Sequence, residues 1–175
     1  MTDRYSLGLT ERDRVNHAFG GGLPTGSVVY LEGPDGAGKS VFAQRFAYGF
    51  ASEGTTTSYV STELSASTFV DQMHSLSYDV VDHLLFDRLL FLHADVDTAS
   101  EAPPRRLLDR LMEPGPLWKA DVIVVDGLDA LLRNDPKYER ASESGDEDDV
   151  VQSFVSYLRS VTATGRTVVV TVNPD

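Results

Sequence analysis

Short apolar runs rich in β-branched residues alternate along this chain with segments whose apolar positions recur at helical spacing. That alternation is the signature of βαβ units and a mostly parallel sheet, an α/β fold. Val28, Val29, Tyr30 and Leu31 read as the first strand. A glycine-rich loop follows, then a helix with Phe42, Phe46 and Phe50 on one face. Gly54 is placed to cap that helix at its C-terminus. Residues 57–61 form the second strand, and Phe69, Val70 and Met73 mark one side of the next helix. A third strand covers 89–92. Pro103 and Pro104 suit a helix start, with Leu107, Leu108 and Leu111 as its apolar face.

Val122, Ile123, Val124 and Val125 are apolar on both faces, as a covered parallel strand requires. Residues 134–149 are polar and strongly acidic and read as a solvated, mobile loop. Val150, Val151, Phe154, Val155, Leu158 and Val161 then define an amphipathic helix, and 167–172 a fifth strand. Nothing repeats and no tract is of low complexity, so residues 1–175 read as a single domain.

Composition narrows the class. The chain is 41% hydrophobic and 24% charged, which is globular rather than disordered. No apolar run approaches the roughly 18–20 residues that span a bilayer, and the first residues lack the pattern of a signal peptide. With no cysteine, disulfides and thiolate zinc sites are excluded. A cytoplasmic protein is expected. The net charge is −12, and lysine occurs only at Lys39, Lys119 and Lys137. That balance fits a protein kept soluble in concentrated salt, as in a halophile; an acidic protein of ordinary salinity is the plainer alternative. It argues against duplex nucleic acid as a partner, since the longest basic run is the pair Arg105 and Arg106.

The chemistry is concentrated in Gly33-Pro34-Asp35-Gly36-Ala37-Gly38-Lys39-Ser40, which matches G-x-x-x-x-G-K-[ST]. Average residue frequencies give such a match by chance in about one chain of this length per hundred. Its place between a strand and a helix tightens the reading to ATP with Mg²⁺. Gly33, Gly36 and Gly38 let the backbone wrap phosphates without a Cβ in the way. Asp35 and Ala37 complete the loop, and amides through Val41 at the helix start face the anion. Lys39 is suited to the β- and γ-phosphates and the Ser40 hydroxyl to Mg²⁺. The bland alternative is a glycine turn with an exposed lysine.

Asp126 ends the most apolar strand, at the sheet edge where ligands collect in open α/β folds, and suits a Walker B aspartate holding Mg²⁺ through water. It could instead cap the next helix. Glu63 follows the second strand and could orient water against the γ-phosphate, or merely stabilise a helix start. Thr171 and Asn173 end the fifth strand and could hydrogen-bond the γ-phosphate; Asn173-Pro174 also reads as a simple strand-ending turn. Asp129 is a weaker candidate on helical surface. His17, His74, His83 and His93 show no metal-ligand spacing, His93 reads as a surface residue at a strand end, and Trp118 as packing at a domain edge or interface.

Taken together, the motifs resemble a known family. Leu7-Gly8-Leu9, Asp13, Gly20-Gly21-Gly22-Leu23-Pro24 and Gly26-Ser27 before the loop look like the lead-in of RecA/KaiC-type ATPases. Ser61-Thr62-Glu63-Leu64, the stretch 69–76 and the stretch 128–136 look like the FlaH (ArlH) family of the archaeal motility motor, especially its haloarchaeal members. The resemblance spans essentially the whole chain. It implies a RecA-like P-loop core, Walker A roles for Lys39 and Ser40, a Walker B role for Asp126 and a water-activating role for Glu63. It also implies ring-shaped homo-oligomers and a regulatory switch with weak or absent hydrolysis at the base of the archaellum. There the motor ATPase FlaI and the membrane protein FlaJ are the implied partners, with peripheral attachment to the membrane. Two departures stand out. Leu64 replaces the second of a glutamate pair often found in KaiC-type domains, and the chain ends at Asp175, before further strands expected of the family. Those strands would flank the loop-bearing strand, so residues 28–32 are expected to form an exposed apolar edge; the subunit-interface residues, including any finger in trans, would lie with them. That ending fits a truncated product or fragment. An active KaiC-type ATPase and a strand-exchange recombinase are the competing functions, the latter disfavoured by the lack of basic loops.

Overall fold

The computed structural model describes residues 3–96 and 107–174. Five strands form one parallel sheet: β3 (Val28–Glu32), β4 (Thr57–Ser61), β5 (Leu89–His93), β6 (Val122–Asp126) and β7 (Thr167–Val172), in the order β3-β7-β6-β4-β5. A two-residue antiparallel ribbon, β1 (Arg4–Tyr5) with β2 (Leu23–Pro24), lies apart from it at the N-terminus. The helices are α1 (Val15–Ala18), α2 (Lys39–Ser52), α3 (Ala66–Ser75), α4 (Val81–Leu85), α5 (Leu107–Leu111), α6 (Leu128–Arg133), α7 (Pro136–Ser144) and α8 (Glu147–Thr162).

Strand alternation divides the core. Val122 and Val124 of β6 join one cluster with Phe46 and Phe50 of α2 and Phe69 and Met73 of α3. Ile123 and Val125 point the other way, towards Leu128 and Leu131 of α6 and Phe154 and Leu158 of α8. Both faces are therefore covered, which is why the strands read as continuous apolar runs. Each of these fully buried side chains contributes on the order of 1.5–3 kcal/mol through removal from water. The phenylalanine ladder of α2 continues outward through Phe42, with ring centres 4.6 Å apart between Phe42 and Phe46. Gly54 takes φ +80° just past the helix end and its amide reaches the Ala51 carbonyl, closing α2 as expected.

Three sequence expectations change here. Residues 134–149 are not a loop. Pro136 begins α7, and Tyr138 and Ala141 pack on the second core cluster; Gly145 at φ +80° then separates α7 from α8. The exposed face of α7 is acidic enough to hide two apolar contacts from a reading of composition. Helix α8 accordingly starts at Glu147, three residues before its first apolar position. Trp118 is not at an edge or interface: it is 7% exposed, packs edge-on against Tyr157, and donates its indole N–H to the Leu111 carbonyl. Pro103, Pro104, Arg105 and Arg106 lie outside the described residues. The expected edge strand is present, since β3 pairs only with β7 among the described strands and Tyr30 is half exposed.

Candidate nucleotide site

The sheet order gathers four connections at one edge. Residues 33–38 leave β3, Glu63 follows β4, Asp126 ends β6, and Thr171 lies one residue before the end of β7, so all of them meet at the C-terminal ends of parallel strands. Asp126 continues the alternation of Val122 and Val124, which turns its carboxylate towards α2.

That carboxylate is held from three sides. Oδ1 accepts the Ser40 hydroxyl of α2 at 2.9 Å and the Thr171 hydroxyl of β7 at 2.8 Å. Oδ2 accepts the Tyr59 hydroxyl of β4 at 2.6 Å. Asp126 is 6% and Thr171 2% exposed, so these are buried, charge-assisted bonds. Burial first, then the adjacent Asp126 charge, pushes the Tyr59 hydroxyl well above its ordinary pKa, and it stays protonated as a donor. Thr171 also accepts the Gly127 amide at 2.8 Å. Gly127 has φ +95°, and a Cβ there would overlap the Thr62 hydroxyl, so the turn after Asp126 requires glycine.

The glycine loop opens in front of this group. Gly36 and Gly38 have φ +76° and +84°, and a Cβ at either would meet nothing within 4 Å, as a concavity for an anion demands. The Lys39 ammonium folds back on its own loop, donating to the Gly33 carbonyl at 2.6 Å and the Pro34 carbonyl at 2.8 Å. A cleft of about 460 Å³ joins Asp35, Lys39, Glu63, Asp126, Thr171 and Asn173, within the usual size of small-molecule sites. Glu63 is exposed on the rim, and the Ser61 hydroxyl accepts its amide at 3.2 Å. Asn173 bridges the rim: its amide side chain donates to Asp35 at 3.0 Å and its backbone N–H to Asp129 at 3.3 Å. Asp129 also pairs with Arg133 at 3.0 Å.

The donor set fits a magnesium nucleotide. The Ser40 oxygen can offer a lone pair to a metal while its O–H stays directed at Asp126, and the loop amides and Lys39 supply the positive groups a triphosphate needs. Among the described residues, no cluster of three or more His, Asp and Glu side chains forms a separate protein-only metal site. A second cleft of about 510 Å³ lies across the sheet between β5 and residues 110–118, but it lacks the glycine loop.

Sequence reasoning brought together the loop, Asp126, Glu63, Thr171 and Asn173. It missed Tyr59, whose only signal was its place at the centre of β4, among Thr57, Ser58, Val60 and Ser61. It also missed Arg45. This guanidinium is 4% exposed and clamps the lead-in segment to α2, bonding Asp13 at 2.6 Å, the Leu7 carbonyl at 2.6 Å and the Gly8 carbonyl at 3.0 Å.

The family model described as "ATPase: KaiC" matches residues 10–144. The archaeal flagellar ATP-binding protein FlaH of Methanocaldococcus jannaschii is 35% identical over 163 residues, 93% of this chain and 66% of that protein. FlaH of Methanococcus voltae is 32% identical over 98% of this chain and 70% of its own length. This chain belongs to the FlaH family of KaiC-type ATPases. The crystal structure of the flagellar accessory protein FlaH from M. jannaschii superposes on this FlaH-family chain with a TM-score of 0.82 at 33% identity, covering 98% of this chain and 71% of that one. The fold is thereby a RecA/KaiC-like nucleotide-binding core. The chain spans about two thirds of the length of these FlaH relatives. No helix among the described residues is long and apolar enough to cross a membrane.

Proposed function

We propose that this chain binds ATP with Mg²⁺ and acts as a nucleotide-dependent regulatory and assembly switch of the archaellum motor, with slow or absent hydrolysis. The observation that carries the reading is the convergence of Ser40 and Asp126 behind an open glycine loop. Gly33, Asp35, Gly36, Ala37, Gly38 and Val41 line the phosphates, and Lys39 leaves its two carbonyls to meet the β- and γ-oxygens. Mg²⁺ held there by Ser40 would neutralise charge on the phosphate oxygens. Ser40 holds its metal-facing lone pair in place, and Asp126 acts through water because its Oδ1 is already doubly occupied. Asn173 and Thr171 tie the loop and Asp126 to the end of β7, which makes them the residues to register the γ-phosphate.

The regulatory reading draws on the names of the relatives and on the site itself: Glu63 is solvent-exposed on the rim and followed by Leu64. A switch of this kind works by ordering loops around the γ-phosphate, and the altered surface then engages the motor ATPase FlaI and the membrane protein FlaJ. A peripheral place at the membrane and a homo-oligomeric ring go with that reading.

Fluorescent-ATP titration tests the site. Lys39→Ala should abolish measurable binding, and undiminished affinity would sink the assignment. An active KaiC-type ATPase is the second reading, favoured by Glu63 lining the same cleft as Lys39 and Asp126. Phosphate release distinguishes the two: steady multiple turnover that disappears in Glu63→Gln supports the enzyme, and its absence in the unsubstituted protein supports the switch.

A further inference from the structure

The part of the site that the nucleotide does not touch is its floor. An aspartate carboxylate turns easily about its terminal bond, because that torsion is broad rather than confined to staggered wells. Ser40 and Thr171 both bond the same oxygen, Oδ1. Those two contacts alone leave Oδ2 free to swing. Tyr59 stops it, from a third element and from the opposite side, at 2.6 Å.

Tyr59 is built to stay where it is. The residue is 0% exposed, and its ring packs on Phe69 and Phe91 with centroids 5.1 and 6.1 Å away. No water competes for its proton. Beside its hydroxyl lies Gln44, one turn along α2 from Ser40 on the same stripe of the helix. Gln44 is also 0% exposed and lies within bonding reach of the phenol, yet neither its amide nitrogen nor its amide oxygen makes a hydrogen bond of full geometry among the described residues. A buried amide left unpaired is costly and therefore rare, and each such group calls for a physical explanation. The neighbouring group it can pair with is the phenol: its N–H can donate to the Tyr59 oxygen while Tyr59 donates to Asp126.

We propose that Tyr59 is the positioning residue that orients the Asp126 carboxylate for Mg²⁺, and that Gln44 completes a Gln44–Tyr59–Asp126 relay when the magnesium nucleotide binds. The inference rests on the ATP reading above. In the relay, α2 carries both Ser40, which faces the metal, and Gln44, which supports the carboxylate from below. A small advance of α2 on phosphate binding therefore tightens both ends of the same network. All protons keep their owners: the phenol stays a phenol and Asp126 stays a carboxylate.

The test is a Mg²⁺ titration of the ATP complex of the full chain, run beside ATP binding in EDTA. Tyr59→Phe keeps the ring and removes only the hydroxyl. It should weaken the apparent Mg²⁺ affinity about tenfold, the low end for residues that orient metal ligands, while metal-free ATP binding stays within about twofold. Gln44→Leu should shift Mg²⁺ affinity in the same direction by less. A merely structural tyrosine would alter both titrations together or neither. Proton NMR of the unsubstituted protein supplies a readout independent of any variant: a slowly exchanging hydroxyl proton from Tyr59 should shift when Mg²⁺ joins the ATP complex. Equal Mg²⁺ dependence in the unsubstituted protein and Tyr59→Phe, or a hydroxyl resonance indifferent to Mg²⁺, overturns the role of Tyr59 and leaves the ATP reading standing. An unsubstituted protein that binds no ATP overturns both.

Discussion

Asp13 and Arg45 show what a single pair decides in this chain. A guanidinium buried to 4% exposure must have its donors satisfied, and here Asp13 and two lead-in carbonyls do so. The hydrogen bond from Arg45 holds the Asp13 carboxyl below the usual carboxylate range. A lowered folded pKa means stability that is fully present above the unfolded value, near 4, and lost as pH falls through the folded one. Asp13→Asn should therefore cost about 1–2 kcal/mol near neutral pH, limited because Arg45 keeps its carbonyl acceptors. The gap between the two melting curves should close as pH drops below about 4. A constant gap from pH 7 to pH 2 would count against the pair. Legibility at this scale was uneven. Asp13 stood out in the sequence only as part of a family-like segment, and nothing in the chain's pattern marked Arg45 as its partner or Tyr59 as the partner of Asp126.

At the level of elements, the turn between β6 and α6 is the most constrained. Gly127 combines a positive φ with a Cβ position already filled by Thr62, and its amide binds Thr171, which in turn binds Asp126. Gly127→Ala should destabilise the fold by roughly 1–3 kcal/mol and weaken Mg²⁺-dependent nucleotide binding with it. Urea unfolding and a nucleotide titration on the same sample check both. The contact of α2 with the lead-in segment is similarly close: a Cβ on Gly49 would overlap the Leu7 carbonyl. Helix α7 shows why an element can escape the sequence. Its apolar contacts, Tyr138 and Ala141, are spaced for a helix, but glutamates and serines around them give the composition of a loop. Only the second core cluster, waiting on that side of the sheet, makes helix the better arrangement.

Over the whole molecule, two properties follow from charge and topology. Among the described strands β3 stands at the sheet edge with Tyr30 half exposed, and such an edge can template strand pairing. Tyr30→Lys should reduce concentration-dependent self-association seen by light scattering while leaving ATP affinity intact; unchanged association would show that this edge is already protected. The net charge of −12 opposes compaction at low ionic strength. The melting temperature should therefore rise between 0.1 M and 2 M KCl, and a flat or falling curve would contradict the reading of a salt-adapted surface.

The loop 33–40, the alternation of strand and helix, and the apolar strand ending in Asp126 were determined by the sequence alone. Their physics is local: glycine at the phosphate turn, the periods of strand and helix, and a carboxylate where an apolar run stops. What the tertiary structure decided is which distant side chains share a face. Parallel register sets Asp126 of β6 beside Thr171 of β7 on the α2 side and Tyr59 of β4 two residues lower on the same face, level with Val124, where Ser40 and Gln44 descend to meet them. No local pattern encodes that meeting, because it depends on strand order, and strand order is settled by how two separate hydrophobic clusters close over the sheet.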